Sequence, residues 1–132
     1  MKHQVVWVNG SFDVLHVGHL ALFEFAKSLG HHLVVGTDTD ERIRQLKGNA
    51  RPINCLADRM EMLRSLRDVD AVCSFGNRNE LLSQIKNNEA DIIVVGGDYK
   101  DKEVIGSHLV SKVIFFDRIP GYSTTNIIEK MK

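Results

Sequence analysis

Five short runs of β-branched, aliphatic and aromatic residues, at 5–8, 33–36, 71–75, 92–95 and 113–116, recur along the chain, most of them separated by stretches of helical periodicity. That alternation is the strongest constraint on the fold. Parallel strands require long crossover connections, and helices in those crossovers then cover both faces of the sheet. The punctuation agrees. Asn9-Gly10 stops the first run, and Gly30 stands where a left-handed C-cap would close a helix over 18–29, whose Leu22, Phe25, Ala26 and Leu29 recur at three and four. Further helices are expected over 41–46 with Asp38 or Asp40 as cap, over 56–66 with Met60, Leu63 and Leu66 on one face, and over 80–87. A last helix, capped by Ser123 or Thr124, carries Ile127, Ile128 and Met131, and 47–54 is a loop around Gly48 and Pro52. The run 92–95 is the most continuous and reads as a central strand buried on both sides. With no internal repeat or linker, residues 1–132 read as one α/β domain. It is a doubly wound, Rossmann-like, five-stranded parallel sheet of order 3-2-1-4-5 with helices on both faces.

Composition narrows the function. Lys+Arg and Asp+Glu both number 17, so the broad basic surface of a general nucleic-acid binder is not expected. The apolar runs fall far short of the ~20 residues of a membrane-spanning helix, and the N-terminus lacks a signal-peptide pattern, so no membrane association and cytoplasmic residence are expected. Cys55 and Cys73 stand in no metal-binding or redox spacing. Cys73 reads as core and Cys55 as a free thiol.

In open α/β sheets ligands sit beyond the carboxyl ends of the strands, so the loops there are the places to search. After the first strand, Gly10-Ser11-Phe12-Asp13 runs into a helix start holding His16, Gly18 and His19. Unpaired amides and a partial positive charge at a helix start favour anionic oxygens, and imidazoles three apart share one side. A helix cap plus a solvated side chain is the plainer alternative. Zinc would need a third ligand, and no HExxH spacing is present. Between Arg42 and Arg67 lie seven basic residues (42, 44, 47, 51, 59, 64, 67) against the acidic Asp58 and Glu61. Arg42, Arg44, Arg64 and Arg67 read as solvated helix faces, whereas Lys47 and Arg51 flank the Gly48 loop, where segments that close over substrates are common. Gly96-Gly97-Asp98 is either a tight turn or a contact for a ribose or base, and Gly121-Tyr122-Ser123-Thr124-Thr125 offers hydroxyls and amides for a second anion site.

GSFDVLHVGHL, with its HxGH signature, and the later GYSTTNII resemble the motifs of the nucleotidyltransferase superfamily of cytidylyltransferases and small adenylyltransferases. Within it, QLKGNARPIN, VGGDYKDKEVIGS and GYSTTNIIEK are most similar to bacterial heptose-1-phosphate adenylyltransferase domains, while Arg118 in RIPGYSTT resembles glycerol-3-phosphate cytidylyltransferase. The resemblance implies transfer of a nucleoside monophosphate from an NTP, accompanied by Mg²⁺, to a phosphorylated sugar or polyol, releasing pyrophosphate. ATP with heptose 1-phosphate is expected, and CTP with glycerol 3-phosphate is the alternative. A nucleotide-binding regulator without turnover is the alternative from another class. By motif position the resemblance assigns catalysis to His16, His19, Lys47, Arg59, Ser123 and Thr124. It assigns the nucleotide to Gly10, Ser11, Phe12, His16, His19, Gly97, Asp98, Arg118, Ser123 and Thr124, and the acceptor to Asp13, Lys47 and Arg51. In that assignment Asp13 orients the acceptor or metal; no set of metal-ligating side chains is expected, and the resemblance implies a homodimer. The larger heptose enzymes join such a domain to a kinase, for which this length leaves no room, so a separate kinase is expected to supply the acceptor.

Overall fold

The computed structural model describes residues 3–96, 103–117, 128, 130 and 131. Its elements are β1 (Val5–Gly10), α1 (Val17–Ser28), β2 (His32–Asp38), α2 (Asp40–Lys47), α3 (Leu56–Arg64), β3 (Ala71–Phe75), α4 (Arg78–Asn87), β4 (Ile92–Gly96) and β5 (Lys112–Phe116), with a single 3₁₀ turn at Ser107–Leu109. The strands form one parallel sheet of order β3-β2-β1-β4-β5, as the alternation predicts. The cap of α2 differs from expectation. Thr39 takes that place, its Oγ1 accepting from the Arg42 amide, because Asp38 and Asp40 are engaged by arginines.

Side-chain parity divides the core into two layers. Val6, Val8, Leu33, Val35, Ile92 and Val94 pack against Leu22, Phe23 and Ala26 of α1 and Leu63 of α3. Trp7, Val34, Phe75 and Ile93 face the other way, onto Leu81 and Ile85 of α4. Burying a side chain of this size removes it from water at a gain of roughly 1.5–3 kcal/mol each, which explains why the apolar runs dominate the topology. Trp7 needs a special accommodation. A Cβ on Gly36 would lie 2.5 Å from the indole, so the neighbouring strand carries no side chain where the ring passes. Cys73 is half-buried, which pushes its thiol up to about 11, and Cys55 is exposed.

The sheet also opens where its order reverses. β1 pairs with β2 all the way to Gly10↔Thr37, but with β4 only at Val6↔Ile92 and Trp7↔Ile93. Beyond that point the carboxyl ends of β1 and β4 are not joined by a ladder, and it is at this point that the ligand crevice of such an architecture lies.

Candidate active site

The turn after β1 is built around Phe12. Its ring folds back under the turn, edge-on to Phe23 at 5.2 Å and to His19 at 5.5 Å. A Cβ on Gly10 would meet that ring at 2.9 Å. Phe12 itself holds φ 48, a conformation that costs of order 1 kcal/mol for such a residue and is held by the burial of its ring. Phe12 thus contributes its side chain to the core and only its backbone to the mouth of the crevice, beside Gly10 and Ser11.

His16 and His19 cap α1 reciprocally. His16 Nδ1 accepts from the Gly18 amide at 3.0 Å, and His19 Nδ1 accepts from the His16 amide at 3.2 Å. The arrangement is a capping box with imidazoles in place of the usual hydroxyl and carboxylate. It constrains the tautomers of both rings, since a nitrogen that accepts carries no proton, so a ring that is neutral holds its hydrogen on Nε2. The ring centroids lie 3.9 Å apart. The structure bears on the alternatives left by the sequence, because both histidines cap the helix through Nδ1. It also changes the anion site. The Gly18 amide is occupied by His16 Nδ1, so that amide is not available to an anion.

His19 is pushed from 6.5 down to about 4 by burial, and further by the charges of His16 and Lys47. Folded His19 thus takes up its proton later than the unfolded chain as pH falls, and stability declines as pH drops from 6.5 toward 4. The loss amounts to about 3 kcal/mol. Urea unfolding across this window should show the decline in the native chain, and a His19→Asn variant should lose that share of it. Equal slopes in the two would refute a His19 that the fold holds neutral.

Asp13 and Arg59 have roles that differ from those the resemblance implies. Asp13 is 2% exposed, and its carboxylate accepts from the amides of Ile53 and Asn54 at 2.8–3.0 Å, while Asn54 Nδ2 donates to the Asp13 carbonyl. It clamps the 51–54 segment to the β1 turn instead of presenting oxygens to an acceptor or metal. The Arg59 side chain is 0% exposed. Nη1 donates to the Ser11 carbonyl, Thr37 Oγ1 and the Asp38 carbonyl, Nε to the Asn54 carbonyl, and Nη2 to Asp40 Oδ1 at 2.7 Å. With its donors directed to protein acceptors, Arg59 is a positioning residue beneath the site and does not reach phosphates from this geometry. Thr37, fully buried, donates to the same Ser11 carbonyl at 2.9 Å.

Lys47 ends α2, and Gly48 turns the chain with φ 93. Partial burial and the charge of Arg51 lower the Lys47 ammonium, while Asp38 and Asp13 pull it the other way. These mutual influences, together with that of Lys47 on His19, bring Lys47, Arg51, Asp13, Asp38 and His19 into one field at the carboxyl edge of β1 and β2. Arg51 Nη1 stands 3.9 Å from Asp13 Oδ2. Arg42, read as a solvated helix face, is instead held by Asp38 at 2.8 Å and lies over the Phe75 ring. Thr37, Asp38, Arg42 and Asn54 were missed. The first two stand at the carboxyl end of β2, where ligands bind in this architecture. Gly97, Asp98, Arg118, Ser123 and Thr124 lie outside the described residues. Among the described residues no group of three His, Cys, Asp or Glu side chains is placed to hold a metal ion, and none of their helices is long and apolar enough to cross a membrane.

The family model described as cytidylyltransferase-like matches residues 7–130. The chain is 45% identical over 131 residues to the bifunctional protein HldE of Helicobacter hepaticus, covering 99% of this chain and 27% of that protein. It is 44% identical over 128 residues to the bifunctional protein HldE of Campylobacter fetus, covering 97% and 28%. The chain thus spans little more than a quarter of the length of these relatives. Among solved structures, the lipopolysaccharide core biosynthesis protein of Thermoplasma volcanium superposes with a TM-score of 0.73 at 25% identity, over 89% of this chain and 99% of that one. The pantoate-beta-alanine ligase of Francisella tularensis superposes at 0.64 with 17% identity, over 98% and 66%, a likeness of fold alone.

Proposed function

The chain belongs to the cytidylyltransferase-like family, and from that premise we propose that it transfers a nucleoside monophosphate from an NTP to a phosphorylated sugar, with ATP and heptose 1-phosphate as the substrates and ADP-heptose and pyrophosphate as the products. The observation that carries the reading is the pair of imidazoles, with ring centroids 3.9 Å apart, whose Nδ1 atoms are locked by the capping box, which puts the hydrogen of each ring, when neutral, on Nε2.

That is the equipment this reaction requires. A phosphate monoester has its second pKa near ~6, so at neutral pH it is already an anionic nucleophile and needs no general base. The barrier lies in bringing two polyanions together and in spreading charge over the α-phosphoryl oxygens and departing pyrophosphate. Oriented N–H donors and fixed cations supply that stabilisation without reorganising during the step. In the proposed mechanism an oxygen of the acceptor phosphate attacks the α-phosphorus, and the bond to the β-phosphate oxygen breaks on the opposite side. His16 and His19 donate to the α- and β-phosphoryl oxygens, and Lys47 neutralises the transferring group. Arg51 favours the acceptor phosphate. Gly97, Asp98, Arg118, Ser123 and Thr124 keep the nucleotide roles that the resemblance implies. The carboxylates at the mouth are engaged by amides and arginines, so Mg²⁺ belongs to this reading as part of the nucleotide substrate, held by phosphate oxygens. The homodimer and cytoplasmic residence belong to it as well, with exposed Val17, Leu20, Leu46 and Ile53 as apolar surface available to a second copy.

Pyrophosphate release, measured for ATP, CTP, GTP and UTP against heptose 1-phosphate and glycerol 3-phosphate, tests the proposal. Turnover with ATP and heptose 1-phosphate is expected to exceed every other pair. Preference for CTP and glycerol 3-phosphate would move the assignment to the other branch of the family, and tight NTP binding without turnover on any acceptor would favour a regulator.

A further inference from the structure

Asn9, at the end of β1, takes no part in the mechanism above and bears an arrangement that core packing does not require. The Trp7 indole Nε1–H donates to Asn9 Oδ1 at 2.9 Å. A buried indole needs an acceptor, but any oxygen would serve, and a carboxamide brings two further N–H donors. The bond fixes which end of the amide is which. With Oδ1 turned to the indole, Nδ2 faces outward from an exposed residue at the rim of the crevice, and it has no partner among the described residues.

Its position says which substrate it meets. Val6 and Val8 face α1, the helix that carries the two histidines, whereas Trp7 packs on the α4 side. Asn9 shares the parity of Trp7, so it looks to the face opposite the histidines. Its register partner is Gly36, which brings no side chain. The next β2 position on that face is Asp38, held by Arg42 and by the Ser11 hydroxyl. The strand end thus carries phosphate donors on one face and a neutral, pre-oriented amide donor on the other.

We propose that Asn9 recognises a hydroxyl oxygen of the phosphorylated sugar acceptor, with the Trp7 indole as the positioning group that sets its carboxamide. An amide N–H suits a neutral hydroxyl, while the charges at Lys47 and Arg51 suit the phosphate of the same molecule. This rests on the nucleotidyltransferase reading above.

Trp7 is the only tryptophan in the chain, so its emission is a built-in reporter that does not depend on turnover. Titrating the intact protein with heptose 1-phosphate should give a saturable change in emission, and inorganic phosphate, which lacks the hydroxyls, should not reproduce it. In steady-state kinetics Asn9→Ala should raise the acceptor KM about tenfold, the scale of one lost hydrogen bond, and leave the nucleotide KM within about twofold. Trp7→Phe should raise the acceptor KM by a smaller factor. Because Asn9 is exposed, its variant tests the proposal even if Trp7→Phe fails to fold. An unchanged acceptor KM, or a rise confined to the nucleotide KM, would overturn the assignment. Saturable, Asn9-dependent emission without any turnover would leave this contact standing and remove the transferase reading. Turnover that Asn9→Ala leaves untouched would do the reverse.

Discussion

His16→Asn and His19→Asn should each lower kcat by at least ~10²-fold, the scale of removing one pre-oriented donor, while the protein stays folded. Asparagine is the informative replacement. Its Oδ1 overlays Nδ1 of an imidazole and so can accept the same amide, and Asn is among the best N-cap residues. Nothing in its side chain reaches the place of Nε2. The capping bonds from Gly18 to His16 and from His16 to His19 are therefore kept while the outward donor is lost. Alanine would remove both functions and confound a weaker helix start, worth about 1 kcal/mol, with lost catalysis. Because the lost donor acts on charge that develops in the transition state, the effect should fall on kcat more than on the nucleotide KM. Thermal midpoints within about 2 °C of native, with kcat reduced a hundredfold, are the expected pair of results. Native kcat in either variant would mean that the histidines serve only as caps.

The fold was legible because its signals repeat. Each strand is a short apolar run with a sharp stop, and five of them with helical crossovers leave few topologies. The side chains at the mouth were less legible, since a sequence shows residue types and not the direction of a side chain. Arg59 illustrates this. Its place on α3 and its charge fit a phosphate ligand, but the acceptors that hold it come from Ser11, Thr37, Asp38, Asp40 and Asn54, positions up to 48 residues away. Only the closed fold reveals that they converge. Arg42 misled in the opposite direction. It reads as one of several helix-face cations, yet Asp38 lies four residues before it and Phe75 arrives beneath it from β3. The spacing of the histidines indicates that they share one side of the helix, but their tautomers follow from the reciprocal cap, which no spacing rule for HxGH contains.

Arg59→Met should be the most destabilising of the substitutions considered, by roughly 3–5 kcal/mol, the cost of removing one partner from a buried ionic network. The side chain has 0% exposure, and its removal takes the arginine donor from Asp40 Oδ1, Thr37 Oγ1 and the Asp38 and Asn54 carbonyls and leaves the Ser11 carbonyl with Thr37 alone. Against a total stability of about 5–15 kcal/mol for a single domain, that is enough to lower the thermal midpoint by on the order of 10–20 °C. A phosphate-binding arginine on the surface predicts the opposite. Taken from a cluster that already holds Lys47 and Arg51, it would relieve repulsion, and its loss would change stability by no more than about 0.5 kcal/mol. The two roles therefore differ by several-fold in one melting curve, before any substrate is added. Arg59→Lys sharpens the test, because it retains the charge but not the fork that reaches several acceptors at once, and it should recover only part of the loss. A double-mutant cycle with Asp40→Asn locates the largest share. If Nη2 and Asp40 Oδ1 are a real pair at 2.7 Å, the second substitution should cost clearly less in the Arg59→Met background than in the native one, by about 1–3 kcal/mol. Additive losses, with a midpoint close to native for Arg59→Met, would return Arg59 to the phosphates and leave the Ser11 turn to be held by Thr37 alone.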